Sequence, residues 1–190
     1  MSSEAISNYA LLSDCSSAAL LSAAGSVDWL CFPRFDSPSV FGRLLGQDAG
    51  FWSICPSAGH TSARRYVGPA MVLESTHTAP EGSIAVTDAL ALGDGKRGHD
   101  LGAGSPGTLI RQVSCTAGTV DVDVVYSPRP EYGLAAPVLD TVDGGILLRT
   151  GAAVLSLSTP VAFRPGQRRP GDRQRRAARR RRVAAEQCRP

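Results

Sequence analysis

TVDVDVV, residues 119–125, places Val120, Val122 and Val124 on one side of the chain and Asp121 and Asp123 on the other. A period of two marks a half-buried antiparallel strand, because successive side chains of an extended chain point to opposite faces. Further strand candidates lie on both sides of it: MVLESTHT at 71–78, SIAVTDALAL at 83–92, TLIRQVSC at 108–115, GILLRT at 145–150 and AVLSLS at 153–158. Pro80, Glu81 and Gly82 form a turn between the first two, while Asp143, Gly144 and Gly145 supply the positive φ angles of a tight hairpin. Many short strands with turn chemistry between them predict an all-β protein, an antiparallel sandwich or barrel. One short helix is expected, with Ser37 as N-cap, Pro38 at the first helical position, Phe41, Leu44 and Leu45 on one face, and Gly46 as the stop.

A chain of 190 residues with 43% hydrophobic content is sized for one domain with its own core. The formal charge of +3 conceals a division. Residues 164–190 hold eleven arginines against Asp172 and Glu186, a balance of +9, whereas residues 1–163 carry nine basic residues against fifteen acids, a balance of −6. The tail has no lysine and, beyond Val183, no large apolar residue. Such a segment cannot bury enough surface to offset its ordering entropy, so residues 164–190 are expected to be a disordered, Arg-rich tail. An arginine run can bind nucleic acid by neutralising phosphates. It is also what an out-of-frame reading of a GC-rich message produces, and the lack of aromatics, helical periodicity and lysine favours that second reading.

Cys15, Cys31, Cys55, Cys115 and Cys188 are widely spaced, with no CxxC pair and no adjacent histidine. That pattern fits neither a zinc site nor a disulfide framework, and suits a reducing compartment. The apolar run Ala18–Ala24 lacks a basic segment before it, so no signal peptide is read, and no run approaches the length of about 20 residues that spans a bilayer. A soluble, cytoplasmic protein without membrane association, cofactor or metal is expected.

Motifs that could carry chemistry are weak. Gly93, Gly95 and Gly98 spell GxGxxG after a strand candidate, but HDLGAGSPG follows where a dinucleotide site needs a helix. Residues 93–107 therefore read as a long loop. His60, His77 and His99 stand apart in sequence with no partner for a nucleophilic triad. Glu74, Glu81, Asp88 and Glu131 could each serve as a glycosidase-type acid, yet nothing selects a pair, and structural or solvated roles are favoured.

Residues 25–41, GSVDWLCFPRFDSPSVF, gather three of the five phenylalanines, one of the two tryptophans, two prolines and Arg34 into one loop-like segment. On chemistry alone its aromatics anchor a loop to the core. In context the segment says more. NYALLSDCSSAALLSAAGSVDWLCFPRFDSPSVFGRLLG at 8–46 resembles the signature of the N-terminal domain of the glycoside hydrolase family 15 glucoamylases and trehalases of bacteria and archaea. RRYVGPAMVLESTHTAPEGSIAVTDALAL at 64–92, LIRQVSCTAG at 109–118, SPRPEYGLAAP at 127–137 and DGGILLRTG at 143–151 continue the resemblance in order, to about residue 163.

The resemblance implies a large antiparallel β-sandwich joined to an (α/α)6 barrel that carries both catalytic carboxylates and hydrolyses α-glucosidic bonds with inversion. No residue here matches either carboxylate, so the resemblance assigns no catalytic residue to this chain. It implies instead a partial sandwich, residues 1–163, that is non-catalytic by itself and whose partner is the barrel, with α-glucoside bound only through that barrel. Trehalase is favoured over glucoamylase, and an Arg-tailed nucleic-acid-binding module is the alternative. Trp29, Arg34 and Asp36 become the candidates for sugar or interdomain contact. A sandwich cut short also leaves unpaired edges and an incompletely covered apolar face.

Overall fold

The valine alternation at 119–125 lies within one strand of 19 residues, Leu109–Ser127, in a computed structural model that describes residues 4–135, 137–150, 153–160, 164–165 and 177–184. In chain order the strands are β1 (Ala10–Ser13), β2 (Ala18–Leu21), β3 (Ser26–Cys31), β4 (Ser39–Gly42), β5 (Phe51–Pro56), β6 (Thr61–Tyr66) and β7 (Val72–Ala79). They continue with β8 (Gly82–Leu90), β9 (Leu109–Ser127), β10 (Val138–Val142), β11 (Gly145–Thr150), β12 (Ala153–Ser158), β13 (Arg164–Pro165) and β14 (Ala177–Ala184). Three short 3-10 turns, Ile6–Asn8, Gly98–Asp100 and Glu131–Gly133, are the helical elements among the described residues. The chain is all-β, and the pairs are antiparallel.

One sheet runs β1-β2-β3-β5-β9-β8-β7-β6, with β4 added on β3 and β14 on β9; the other is β10-β11-β12. β9 is the hinge of the design. Its first half pairs with β8, its second half with β5, so one strand serves two halves of a curled sheet. The curl brings the ends together: the Tyr66 hydroxyl on β6 accepts the Leu11 N–H at 3.0 Å and donates to the Leu11 carbonyl at 2.8 Å. Arg64 adds a bond from Nη1 to the Leu21 carbonyl at 3.1 Å. The Tyr66 hydroxyl thereby occupies the Leu11 backbone groups on the edge strand β1, which blunts that part of the edge as a template for pairing with other chains.

The alternation fixes the core. Val120 and Val122 are buried and pack with Ile54, Ile84 and Val86. A second cluster joins Leu12, Leu21, Val27, Leu30, Phe41 and Leu73 to Ile146 and Leu157 of the small sheet. Each such side chain contributes about 1.5–3 kcal/mol relative to exposure. The two sheets do not close fully. An apolar cleft of about 640 Å³ lies between them, walled by Phe41, Trp52, Tyr126, Leu155 and Leu157. Within it the Trp52 indole Nε1 is buried without a hydrogen-bond partner among the described residues.

Several expectations change. The predicted helix at 37–46 is absent: Ser39–Gly42 is strand β4, all four residues buried, and a turn follows. Phe41 pairs with Leu30 on β3 and sits in the core, while Leu45, assigned to the same helical face, is 64% exposed. Tertiary pairing overrides the Ser-Pro start signal. The segment 25–41 is likewise two strands, β3 and β4, around a loop confined to residues 32–38.

The separate strands expected at 108–115 and 119–125 are one. Gly118 has φ of +61°, but the register with β8 shifts between Ser83 and Ile84, so the TAG sequence makes a bulge that bends the strand instead of reversing it. Of the Arg-rich tail expected to lack structure, Arg164–Pro165 and Ala177–Ala184 lie in strands, the latter antiparallel to β9 with Ala177 opposite Tyr126 and Ala184 opposite Thr119. β9 offers an open ladder beyond the end of β8, and backbone pairing there does not depend on apolar side chains. The rest of the tail lies outside the described residues.

Candidate functional site

β3 begins at a tight reversal, and its sequence SVDW sets a polar group among apolar ones. Asp28 is 5% exposed, and a carboxylate so buried needs donors. It has them: the Ser26 hydroxyl donates to Oδ1 at 2.5 Å and the Tyr9 hydroxyl to Oδ2 at 2.9 Å. Arg43, in the turn after β4, places Nη1 3.8 Å from Oδ1. The Arg43 guanidinium also lies over the Phe51 ring at 4.1 Å and donates from Nε to Gln47 Oε1 at 3.2 Å. Burial first, then the Asp28 hydrogen bond, raises the Tyr9 pKa well above its ordinary value, so the phenol stays a donor. Together with Glu4, Ser22, Leu44, Leu45 and Gly46, the Tyr9, Ser26, Asp28, Arg43 and Gln47 side chains line a cavity of about 300 Å³.

The three residues singled out from sequence do not converge. Trp29 follows Asp28 on β3 and is half-buried, its ring 6.2 Å from that of Tyr132. Arg34 and Asp36 meet each other at the tip of the 32–38 loop, Nε to Oδ1 at 3.1 Å, with about three quarters of each side chain exposed. That bond holds the Asp36 carboxyl below its ordinary pKa. Phe35 between them is 59% exposed, whereas Phe32 packs against the core. Asp28 and Arg43 were not singled out, although Asp28 stands within the quoted motif; an acid inside an otherwise apolar strand is the signal that points to it.

The carboxylates weighed as glycosidase acids separate. Leu73 opposes Asp88 across β7 and β8; both are buried, so Asp88 faces inward while Glu74, the next residue, faces the other side and pairs with Arg65 at 2.6 Å. Asp88 is held by Arg111 through Nε–Oδ1 at 2.8 Å. Glu81 lies in the β7–β8 turn and Glu131 is exposed on a 3-10 turn. Asp88 is thus committed to a buried ion pair and Glu74 to one with Arg65, so neither stands as the free acid or base that glycoside hydrolysis uses.

His60 and His77, far apart in sequence, form an edge-to-face contact at 5.1 Å. His77 is a core residue: its Nδ1 shares a 2.9 Å hydrogen bond with Ser62 Oγ. The Gly-rich segment 93–107 carries only the Gly98–Asp100 turn and no longer helix. Cys15, Cys31 and Cys55 are free thiols, Cys115 Sγ lies 3.5 Å from the Ala117 carbonyl, and burial raises the thiol pKa of Cys31 and Cys55, which leaves both poorly nucleophilic. Among the described residues no group of three or more His, Cys, Asp or Glu is placed to hold a metal ion, and no helix is long and apolar enough to cross a membrane.

Known proteins resemble this sequence over about two thirds of its length. The family described as "Trehalase-like, N-terminal" matches residues 1–179. The chain is 38% identical over 140 residues to the trehalase of Mycolicibacterium smegmatis, and equally to that of Mycobacterium tuberculosis, in each case over 67% of this chain and 20% of the relative. It is 33% identical over 123 residues to trehalase 1 of Sulfolobus acidocaldarius, covering 64% of this chain and 19% of that protein. The chain thus spans about a fifth of the curated relatives it matches. No solved structure matches it. An antiparallel fold anchored on the 25–41 motif and a family match over nearly the whole sequence lead to one conclusion: the chain belongs to the trehalase-like N-terminal domain family.

Proposed function

We propose that residues 1–163 are part of the N-terminal β-sandwich of a glycoside hydrolase of family 15, and that residues 164–190 are an Arg-rich tail of which Ala177–Ala184 pairs with β9. In this reading the reaction is hydrolysis of an α-glucosidic bond with inversion, trehalose being favoured over α-glucans. The two catalytic carboxylates belong to an (α/α)6 barrel, and residues 1–190 alone do not catalyse. The observation that carries it is the match of an N-terminal family model to a chain spanning 20% of relatives named trehalase. The scattering of Glu74, Glu81, Asp88 and Glu131 supports the non-catalytic part. The exposed Arg34–Asp36 pair and half-buried Trp29 are the proposed contacts to the barrel or to sugar at its mouth. A reducing, cytoplasmic setting fits the widely spaced cysteines and the free thiols of Cys15, Cys31 and Cys55.

Incubation of the purified chain with trehalose and with maltose, followed by a glucose assay, tests this reading. No glucose above the buffer blank is expected; steady turnover would overturn it. The contact residues are tested by binding of the chain to the separately produced remainder of the M. smegmatis trehalase, which the double variant Arg34→Ala/Asp36→Ala is expected to weaken.

A further inference from the structure

The cavity at Asp28 is built with more hydrogen-bonding capacity than its own side chains use. An ionised carboxylate offers about four acceptor positions, and Ser26 and Tyr9 occupy two. Arg43 has five donors, of which Nε goes to Gln47. Between Asp28 Oδ1 and Arg43 Nη1 the separation is 3.8 Å, too long for a hydrogen bond. One oxygen seated between them can accept from the guanidinium and donate to the carboxylate. A hydroxyl group does both at once.

Charge narrows the ligand class. Glu4 and Asp28 line the same cavity and repel an anion that Arg43 alone would attract, while a cation drawn to the two acids must sit against Arg43. A neutral molecule meets neither cost. The volume of about 300 Å³ is at the lower end of ligand-sized pockets, enough for one ring and not for an extended chain. Gln47 contributes an amide whose oxygen is committed to Arg43, leaving its NH2 donors available, and the Ser22 hydroxyl lines the same space.

We propose that this cavity binds a neutral, hydroxyl-rich molecule of monosaccharide size, with adjacent hydroxyls bridging Asp28 and Arg43. The site is distinct from Trp29, Arg34 and Asp36 and stands independently of the catalytic reading. With few groups engaged and no broad aromatic platform beneath the ligand, affinity is in the range of about 1–10 mM.

The test is titration of the ¹⁵N-labelled 190-residue chain with D-glucose, myo-inositol and, separately, sodium sulfate, followed by backbone amide shifts. Saturable shifts at Ala24 and at residues 44–47 with one or both polyols are expected. Arg43→Gln and the near-isosteric Asp28→Asn should each weaken the apparent affinity at least tenfold while amide dispersion shows the fold intact. If either variant loses dispersion, Gln47→Ala, at an exposed position, replaces it with an expected threefold weakening. No saturable shift in the wild-type chain up to 100 mM polyol would overturn the proposal. So would sulfate saturating these amides while both polyols stay silent, or affinities that folded variants leave unchanged.

Discussion

Arg111 on β9 and Asp88 on β8 form an ion pair from Nε to Oδ1 at 2.8 Å with both side chains closed off from solvent. Arg111 does more than neutralise Asp88. Its Nη1 donates to the Trp52 carbonyl at 2.7 Å and its Nη2 to the Gly25 carbonyl at 2.9 Å, so one guanidinium ties β8 and β9 to β5 and to the reversal that begins β3. A buried charge of this kind is tolerated only when its donors are matched.

Removing one partner should therefore cost more than removing both. Arg111→Leu is expected to destabilise the fold by about 3–5 kcal/mol, because it strands Asp88 and two carbonyls in the interior. Arg111→Leu/Asp88→Leu should recover at least about 1 kcal/mol of that loss. Urea unfolding of the single and double variants measures the difference, and equal or greater loss in the double variant would contradict the assignment.

Acid should act through His77. Burial above all, with the charges of His60 and Arg111, lowers its pKa from 6.5 to about 4. Between these values the unfolded chain takes up a proton that the native state does not, so this contribution is complete above pH 6.5 and is lost as pH falls toward 4. Its size is up to about 3 kcal/mol. Stability measured from pH 7 to 4 should fall less steeply in His77→Gln than in the parent chain, which separates this group from the carboxylates titrating in the same range.

Tyr66 closes the curled sheet from an exposed position, so its loss should be local. Tyr66→Phe removes both bonds to Leu11 at a cost of about 1 kcal/mol. Hydrogen exchange at the Leu11 amide should quicken several-fold while amides in the middle of β9 change little.

Gly25 stands in the left-handed region at φ of +79°. A Cβ there would run into the Ile54 carbonyl oxygen and stand 3.2 Å from His77 Nε2. Gly25→Ala is expected to cost at least about 2 kcal/mol, from backbone strain and from disturbing the carbonyl that Ile54 N–H and Arg111 share. Thermal unfolding followed by circular dichroism checks it, with Gly59→Ala, in open space, as the near-neutral comparison.

Much of the sheet was legible because strand formation leaves a local pattern. Val120, Val122 and Val124, the PEG turn at 80–82 and the DGG turn at 143–145 are signals carried within a few residues, although of the DGG residues only Gly144 takes a positive φ, and β7, β8, β11 and β12 lie close to where periodicity puts them. Short strands such as β1, β2 and β4 carry too few residues for a period to show. β4 was hidden further by Ser37-Pro38, a helix start that only the pairing of Phe41 with Leu30 overrules.

The candidate site was less legible for a different reason. Trp29, Arg34 and Asp36 are conspicuous by composition, and two of them prove to satisfy each other at a loop tip. Asp28, Tyr9 and Arg43 become a group only when three segments of chain meet, as do Asp88 with Arg111 and His60 with His77.

The amino-acid sequence by itself determined that this chain is all-β and antiparallel, and its motif at 25–41 pointed to the family. Side-chain alternation, turn residues and a contiguous motif are local properties, readable without a fold. Only the tertiary structure decided that β9 is one bent strand shared by two halves of a sheet, that the sheet's ends are joined through Tyr66, and which charges are buried together. Those outcomes depend on the register and curl of strands distant in sequence, where burial makes a single hydrogen-bonding partner decisive.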